Sequence, residues 1–247
     1  MRCIFLLCAL FLIATGESSA QEFYFRAGYG LSYANPREIN RLIDVHNNLN
    51  RFYYNTGNDF NKIHFLKGVA FGIGQEYDVV GYEILWENKH TVSKANFMYN
   101  NEEIERQLKI RSNFLCFAFY AGGALKGGLS VDVGTFKGFY KRAPKGSIKD
   151  TSWTYLFQTK HFMTGESFLK NKELIFTTQV AFTPFIQYER GPLGVRLSYQ
   201  FHAMKMDIDD AENRLLGGSK IQDGNFLEDK MSNVGLLVYL KLGGRHD

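Results

Sequence analysis

Alternation of large apolar with small or polar residues over positions 174–207 constrains the fold more than any other feature of the chain. Two alternating runs flank a tight turn at 190–194. Their apolar positions are Phe176, Val180, Phe182, Ile186 and Tyr188 before the turn, and Val195, Leu197, Tyr199, Phe201 and Ala203 after it. Alternation of period two predicts strands. Each run reaches the roughly 9–11 residues of a tilted membrane-crossing strand, whereas soluble strands average about five or six. We therefore interpret the stretch as a hairpin of a transmembrane β-barrel, with an apolar outer face and a polar inner face.

Six further stretches alternate in the same way and bring the number of predicted strands to eight. They cover residues 22–33, 65–77, 80–97, 105–120, 128–140 and 231–242. Short links alternate with medium or long ones along the chain, as in membrane barrels with short periplasmic turns and longer external loops. We predict an all-β fold, an eight-stranded antiparallel up-and-down transmembrane β-barrel that occupies residues 21–247.

One segment in the first long loop has helical rather than strand periodicity. Asn35 can cap a helix, Pro36 suits its first turn, and Glu38 completes an arrangement that resembles a capping box. Apolar residues then recur at helical spacing as far as about Asn50. The sequence thus predicts a short helix in the first external loop. It is either a lid that binds a partner or, as we favour, a helix that packs its apolar stripe on the barrel rim.

The first twenty residues have the features of a secretory signal peptide. Arg2 precedes the uncharged apolar run Ile4–Ala14, and small residues lead to a cleavage site near Ala20-Gln21. Cleavage followed by barrel insertion would place the protein in the cell outer membrane. Cys116 would then be the only cysteine, so no intramolecular disulfide could form. Strand parity places Cys116 on the lipid-facing side, where we expect no nucleophilic role.

The same parity predicts which charged side chains point into the lumen. They are Arg26, Glu83, Glu87, Lys109, Arg111, Asp132, Arg196 and His202. An eight-stranded barrel is only wide enough for side chains to fill it, and buried charges are costly unless they are paired. We expect Glu83 and Glu87 to lie opposite the cations of the neighbouring strand. The near balance of acids and bases favours a charge-paired plug over the alternative, a narrow gated ion path.

The three long loops, 34–64, 141–173 and 208–230, are the predicted location of function. Loops on a rigid scaffold commonly carry binding residues. The candidate binding residues are aromatic: Phe52, Tyr53, Tyr54, Trp153, Tyr155 and Phe157. Our hypothesis is a surface binding, adhesion or accessory role, and the blander alternative is a barrel that mainly stabilises the membrane.

Other classes of function have less support in the sequence. The net charge of +4 is spread along the chain, so nucleic-acid binding is not expected. No phosphate-loop, redox or metalloprotease motif occurs, and we predict neither a metal nor a cofactor. A catalytic triad would need Ser198 and Asp132 beside His202, and we predict no enzyme activity. Two alternatives stay open: a secreted lipocalin-like barrel that binds an apolar ligand and, less favoured, a small barrel enzyme that acts on lipid.

The layout resembles known small outer-membrane barrels. The signal peptide, the eight alternating strands and the first-strand segment Phe25-Arg26-Ala27-Gly28-Tyr29-Gly30 are similar to the transmembrane domains of OmpA and OmpX. They also resemble the PorT-type "outer membrane protein beta-barrel domain" family of Bacteroidota. The resemblance implies contact with outer-membrane lipid and lipopolysaccharide, and insertion by the barrel-assembly machinery. It also implies a protein partner as one possible ligand of the external loops.

Overall fold

Eight strands form a closed antiparallel barrel in the part of the chain that the structure describes. The computed structural model describes residues 21–50, 59–99, 101–144, 154–158, 179–208, 215 and 228–243. In chain order the strands are β1 (Gln21–Ala34), β2 (Phe65–Tyr77), β3 (Val80–Tyr99), β4 (Glu102–Gly122), β5 (Leu125–Pro144), β6 (Thr154–Gln158), β7 (Gln179–Arg190), β8 (Leu193–His202), β9 (Met206–Asp207), β10 (Glu228–Asp229) and β11 (Asn233–Gly243). The helix α1 (Arg37–Asn50) lies between β1 and β2. The predicted signal peptide lies outside the described residues.

The barrel closes by pairing of its first and last strands. Strands β1, β2, β3, β4, β5, β7, β8 and β11 pair in that order, and β11 returns to β1. The pairing of residues can be followed from strand to strand once around the barrel. It starts at Leu31 on β1 and passes through β11 and the other strands. It returns to β1 at Gln21, ten residues from the starting point. A stagger of this size tilts the strands by roughly 40°. The predicted fold class is confirmed.

The two ends of the barrel differ. Tight turns after β2, β4 and β7, together with the start of β1 and the end of β11, lie at one end, which we call the turn end. At the other end, the loop end, β3, β4 and β5 continue much further than their neighbours. They contain 20, 21 and 20 residues, whereas β8 contains 10. These extensions form a three-stranded wall beyond the barrel rim. Strand β6 lies inside the segment predicted as a loop over 141–173. It pairs alongside β5 and widens this wall.

An apolar belt surrounds the outside of the barrel between the turn end and the wall. Phe25 and Phe119 are 65% and 67% exposed, as befits side chains that face lipid. Further members include Phe23, Tyr29, Phe71, Ile73, Leu129, Ile186, Tyr188, Leu197, Val238 and Leu242. A lipocalin-like barrel would point such residues inward, so their exposure contradicts that alternative. The belt suits the roughly 25 Å apolar band of membrane barrels. In the described part of the chain, no helix is both long and apolar enough to cross a membrane.

Pro184 lies in the middle of a barrel strand, where a missing backbone N–H must be accommodated. Strand prolines are typically found at edges or bulges, and neither occurs here. Its pairing with Leu129 on β5 is intact. On the β8 side, pairing is interrupted between Phe182 and Phe185 and resumes in the same register. The barrel therefore accommodates the proline by a local gap in one ladder.

Candidate functional site: the plugged lumen and the cap

At the turn end, two acids and two bases fill the lumen. Lys126 Nζ lies 2.5 Å from both Glu76 Oε1 and Glu189 Oε2. Lys241 Nζ lies 2.6 Å from Glu76 Oε2 and 3.3 Å from Glu189 Oε2. Each ammonium thus bridges the same two carboxylates across the barrel. This arrangement neutralises all four charges within one layer.

The middle of the lumen contains a second group of paired charges. Arg26 Nη1 lies 2.5 Å from Glu83 Oε2, and its Nη2 lies 2.8 Å from Glu189 Oε1. Arg196 pairs with the other oxygen of Glu83 and donates from Nε to Gln187 Oε1 at 3.0 Å. All these side chains are buried. Arg26 therefore links the middle layer to the turn-end layer, and we call the two layers together the lumen network.

Towards the loop end, a third layer satisfies a lone buried carboxylate. Asp132 accepts hydrogen bonds from three side chains, Ser130 (2.7 Å), Thr183 (2.5 Å) and Gln200 (2.8 Å). Glu87 pairs with Lys89 at 2.6 Å nearby. A cavity of about 20 Å³ borders both groups, which is room for about one water molecule. The lumen is filled rather than open.

Inward glycines make room for tyrosines on the neighbouring strands. A Cβ at Gly74 would lie 2.2 Å from Tyr24 Oη, and one at Gly194 would lie 2.2 Å from the Tyr239 ring. The Tyr24 hydroxyl donates to Glu83 Oε2 at 3.0 Å. The absence of side chains at these glycines thus allows aromatic rings to pack across the lumen and complete its hydrogen bonds.

The structure divides the predicted lumen residues into two groups. Arg26, Glu83, Glu87, Asp132, Arg196 and His202 lie inside the barrel. Lys109 and Arg111 lie on the outer face of β4, and Cys116 faces the lumen. The predicted orientation of this strand is therefore wrong. The inner face of β4 is apolar because it packs beneath the cap described below. On the other strands a row of large apolar residues faces lipid, whereas on β4 such a row faces the interior.

Four members of the lumen network were missed by the sequence reasoning. Glu76, Lys126 and Glu189 lie at strand ends next to tight turns, and Lys241 lies near the end of β11. Each has the parity of the inward residues on its strand. Applying the alternation to every charged residue of each strand, and starting β5 before residue 128, would have found them.

A cap closes the loop end of the lumen. It consists of α1, the β9–β10 pair and the inner face of the three-stranded wall. Buried residues of the helix, Ile39, Leu42 and Ile43, belong to one apolar cluster with Phe97 and Leu108 of the wall. The favoured interpretation of α1, a helix whose apolar stripe packs on the barrel rim, agrees with this packing.

His46 and Arg106 form a buried polar contact within the cap. Arg106 Nη1 lies 2.7 Å from His46 Nε2, and the imidazole is fully buried beside the Phe60 ring. Because a guanidinium can only donate, Nε2 must accept and the ring is neutral. Burial, together with the positive charge of Arg106, lowers the pKa of His46 from 6.5 to about 4. The cap therefore excludes a second charge at this position.

The helix is capped by a residue from the far end of the chain instead of by the predicted Asn35. Asp229 on β10 accepts a hydrogen bond from the backbone N–H of Ile39 at 3.0 Å. Asn35 instead accepts from the side chain of Asn40. The sequence reasoning missed Asp229 because it lies 190 residues from Ile39.

Removing the Asp229 carboxylate should loosen the helix without unfolding the barrel. Loss of an N-cap costs about 0.5–2 kcal/mol, so we expect Asp229→Ala to speed amide hydrogen exchange in α1. Asp229→Asn keeps an acceptor oxygen and should stay near wild type. Equal exchange in wild type and Asp229→Ala would show that the contact does not hold the helix.

Among the residues that the structure describes, the geometry of a catalytic triad is not found around His202. Its ring packs edge-on against Phe114 and Phe136, with centroids 5.5 and 5.1 Å away. Ser198 Oγ contacts the backbone oxygen of Gly235 instead. Among the described residues, no cluster of three or more potential metal-binding side chains occurs.

Two of the six predicted aromatic binding residues belong to the described part of the chain. Phe52, Tyr53, Tyr54 and Trp153 lie outside the described residues. Tyr155 and Phe157 lie on β6, where the backbone pairs with Phe139 and Gly138 of β5. These two positions are therefore part of the wall beyond the apolar belt.

Comparisons with known proteins yield only remote structural neighbours. The sequence matches no protein-family model and no curated protein. Ail of Yersinia pestis, solved in complex with the heparin analogue sucrose octasulfate, has 10% identity and a TM-score of 0.42 over 91% of this chain and 99% of that one. OprG of Pseudomonas aeruginosa has 11% identity and a TM-score of 0.38 over 92% and 97%. Neisserial surface protein A has 8% identity and a TM-score of 0.31 over 92% and 99%. Likenesses this remote say nothing about what this chain binds.

Proposed function

We propose that the protein is an outer-membrane β-barrel that does not conduct ions and acts at the cell surface through its loop end. The tight turns of the turn end then face the periplasm, and the cap and the wall project from the cell surface. The role is binding or adhesion by the external structure. The observation that carries the proposal is the contrast between the two parts of the molecule. The lumen is filled by paired charges, whereas three strands continue well past the belt to support an external cap.

The filled lumen favours this role over transport. An ion would have to pass both layers of the lumen network and the third layer, where the cavity holds about one water molecule. It would then meet the apolar underside of α1. Opening such a path requires separating buried ion pairs, which costs several kcal/mol for each pair.

Two measurements on one preparation test the proposal. Purified protein is first reconstituted in lipid. Its mobility on a gel is compared before and after boiling, and its conductance is recorded in a planar bilayer. We expect a heat-dependent mobility shift and no conductance steps. Regular ohmic steps would contradict the non-conducting lumen, and a protein that stays soluble without detergent would contradict the membrane location.

Binding is then tested with a variant in which Phe52, Tyr53, Tyr54, Trp153, Tyr155 and Phe157 are replaced by Ser. Cells that display either protein are compared for attachment to host-cell layers, glycans and other bacterial cells. The variant should keep the mobility shift and lose attachment. If wild type and variant attach equally, or neither attaches, the aromatic candidates have no binding role and a structural function is favoured.

A further inference from the structure

Four basic residues form a row across neighbouring strands on the outer face of the barrel. Lys67 on β2 pairs with His90 on β3, His90 with Arg111 on β4, and Arg111 with Lys137 on β5. We call these four residues the cationic row. Side chains directly opposite each other in a sheet lie about 5 Å apart, and the like charges of Arg111 and Lys137 in such a pair are destabilising. The row therefore has an electrostatic cost that an anion would relieve.

No acidic partner compensates the row in the described part of the chain. Neither Lys67, Arg111 nor Lys137 forms an ion pair with a described carboxylate. Lys109, two residues beyond Arg111 on the same face, adds its charge to those that act on His90. The nearest outward acid on β4, Glu105, pairs with Lys94 further up the wall.

The row crosses the upper part of the apolar belt, with exposed Val92 two residues above His90. Two residues below Lys67 is exposed Val69, and two residues above it is exposed Phe65. On β4, the last exposed apolar residue of the belt is Leu115, four residues below Arg111. Cations at this level meet the headgroups of the lipid layer that surrounds the belt.

An apolar groove of about 410 Å³ lies directly below the row. Ala27, Phe71, Trp86 and Leu115 pair side by side on β1 to β4, and the small Ala27 leaves a hollow among the larger side chains. On their strands, Phe71, Trp86 and Leu115 lie four residues below Lys67, His90 and Arg111. Four strand residues span about 13 Å. A cationic site and an apolar groove are thus stacked along the same three strands.

Two asparagines between the row and the groove hold both in place. With its carboxamide turned so that the oxygen faces Arg111, the orientation that satisfies both groups, Asn88 accepts from Arg111 Nη2 at 2.6 Å and Nε at 3.2 Å. Trp86 Nε1 donates to Asn113 Oδ1 at 2.6 Å. The guanidinium and the indole are therefore oriented before any ligand arrives, which lowers the entropic cost of binding.

We propose that the row and the groove bind one phosphate-bearing lipid of the outer leaflet, of the lipid A class. Its phosphates lie on Lys67, Arg111 and Lys137, and an acyl chain occupies the groove beside Trp86. Arginine and lysine bind phosphate by charge-assisted hydrogen bonds. The inference rests on the membrane location given under the proposed function. It adds a specific lipid contact that would anchor the wall to the membrane surface.

The fluorescence of Trp86 is a direct probe of the groove, and only one of the two tryptophans in the chain must be replaced to isolate it. In a Trp153→Phe background, Trp86 is the only fluorophore of its kind, and brominated acyl chains quench it on contact. The protein is reconstituted in phosphatidylcholine vesicles that contain either brominated phosphatidic acid, a phosphomonoester lipid, or brominated phosphatidylcholine. We expect the phosphomonoester lipid to be enriched at Trp86 on the order of tenfold, and the enrichment to fall with added salt.

The variant Lys67→Gln/Arg111→Gln/Lys137→Gln should lose the enrichment. Because it removes repulsion between neighbours, we expect it to fold like wild type. The matched control, Arg41→Gln/Lys62→Gln/Lys94→Gln, removes the same charge from cap and wall positions that are paired with acids. It should keep the enrichment.

The outcomes separate this inference from the proposed function. Quenching by both brominated lipids without preference would place the barrel in the bilayer and overturn the lipid site alone. No quenching by either lipid would contradict the membrane location itself. If inorganic phosphate abolishes the enrichment at concentrations equal to those of the lipid phosphate, the row binds free phosphate and the groove has no part, which also overturns the lipid site.

Discussion

Replacing Glu83 with Gln should destabilise the barrel by about 3–5 kcal/mol, the cost of leaving buried charges without their partner. Glu83 is the only acid within reach of Arg196 among the described ion pairs, and it also holds Arg26. All three side chains are almost completely buried. The measurement is urea unfolding in lipid vesicles, followed by the loss of the folded band on unheated gels.

An exposed ion pair provides the control. Lys62 and Asp44 lie 2.8 Å apart with side chains 50% and 48% exposed. Exposed pairs are worth about 0–1 kcal/mol, so Asp44→Asn should unfold close to wild type. The double variant Glu83→Gln/Arg196→Gln removes one charge of each sign and should recover part of the loss. A Glu83→Gln barrel within about 1 kcal/mol of wild type would mean that water or local movement compensates the arginines.

The lumen network also explains why a barrel of this size can contain so many charges. Glu76 and Glu83 each contact two cationic side chains, Glu189 contacts three, and each Lys contacts two carboxylates. Tyrosine hydroxyls complete the set, since Tyr239 donates to Glu189 at 2.7 Å. A satisfied network of this kind fixes the positions of opposite strands relative to one another. The same ion pairs that stabilise the barrel therefore also block its lumen.

Along the apolar belt, the sequence predicts the fold closely. The outward residues of β1, β2, β7, β8 and β11 follow the predicted parity, because lipid outside and charge inside impose opposite preferences on alternate residues. The wall reverses these preferences. Leu108 and Ile110 face inward beneath the cap, and Lys109 and Arg111 face outward. Alternation alone shows that two faces differ and does not show which one is inside.

The cap could not be predicted for a different reason, since its contacts join distant parts of the chain. Asp229 caps a helix that begins at Arg37, and Arg106 of β4 contacts His46 within that helix. The helix itself was predicted from local periodicity. Its partners depend on which strands extend past the rim, and this is a property of the closed barrel rather than of any one segment.

Acid should open the cap through His46. The folded-state pKa of His46, about 4, lies below the usual 6.5, because burial and the charge of Arg106 disfavour the protonated ring. Protonation therefore favours the state in which the cap is open. The contribution of the neutral contact is complete above about pH 6.5 and is lost as the pH falls from 6.5 towards 4. The full difference corresponds to about 3 kcal/mol of cap stability.

Hydrogen exchange in residues 37–50, corrected for the intrinsic pH dependence of amide exchange, measures this opening. Protection of α1 should fall between pH 6.5 and 4 while the amides of β1 and β11 stay protected, because the lumen network does not involve His46. His46→Gln retains an acceptor towards Arg106 without a titrating ring, so its cap should lose this pH dependence. His64→Gln replaces another histidine at the loop end, and the cap of this variant should retain the pH dependence. If wild type and His46→Gln respond alike, another group controls the cap, and the depressed pKa of His46 has no structural consequence.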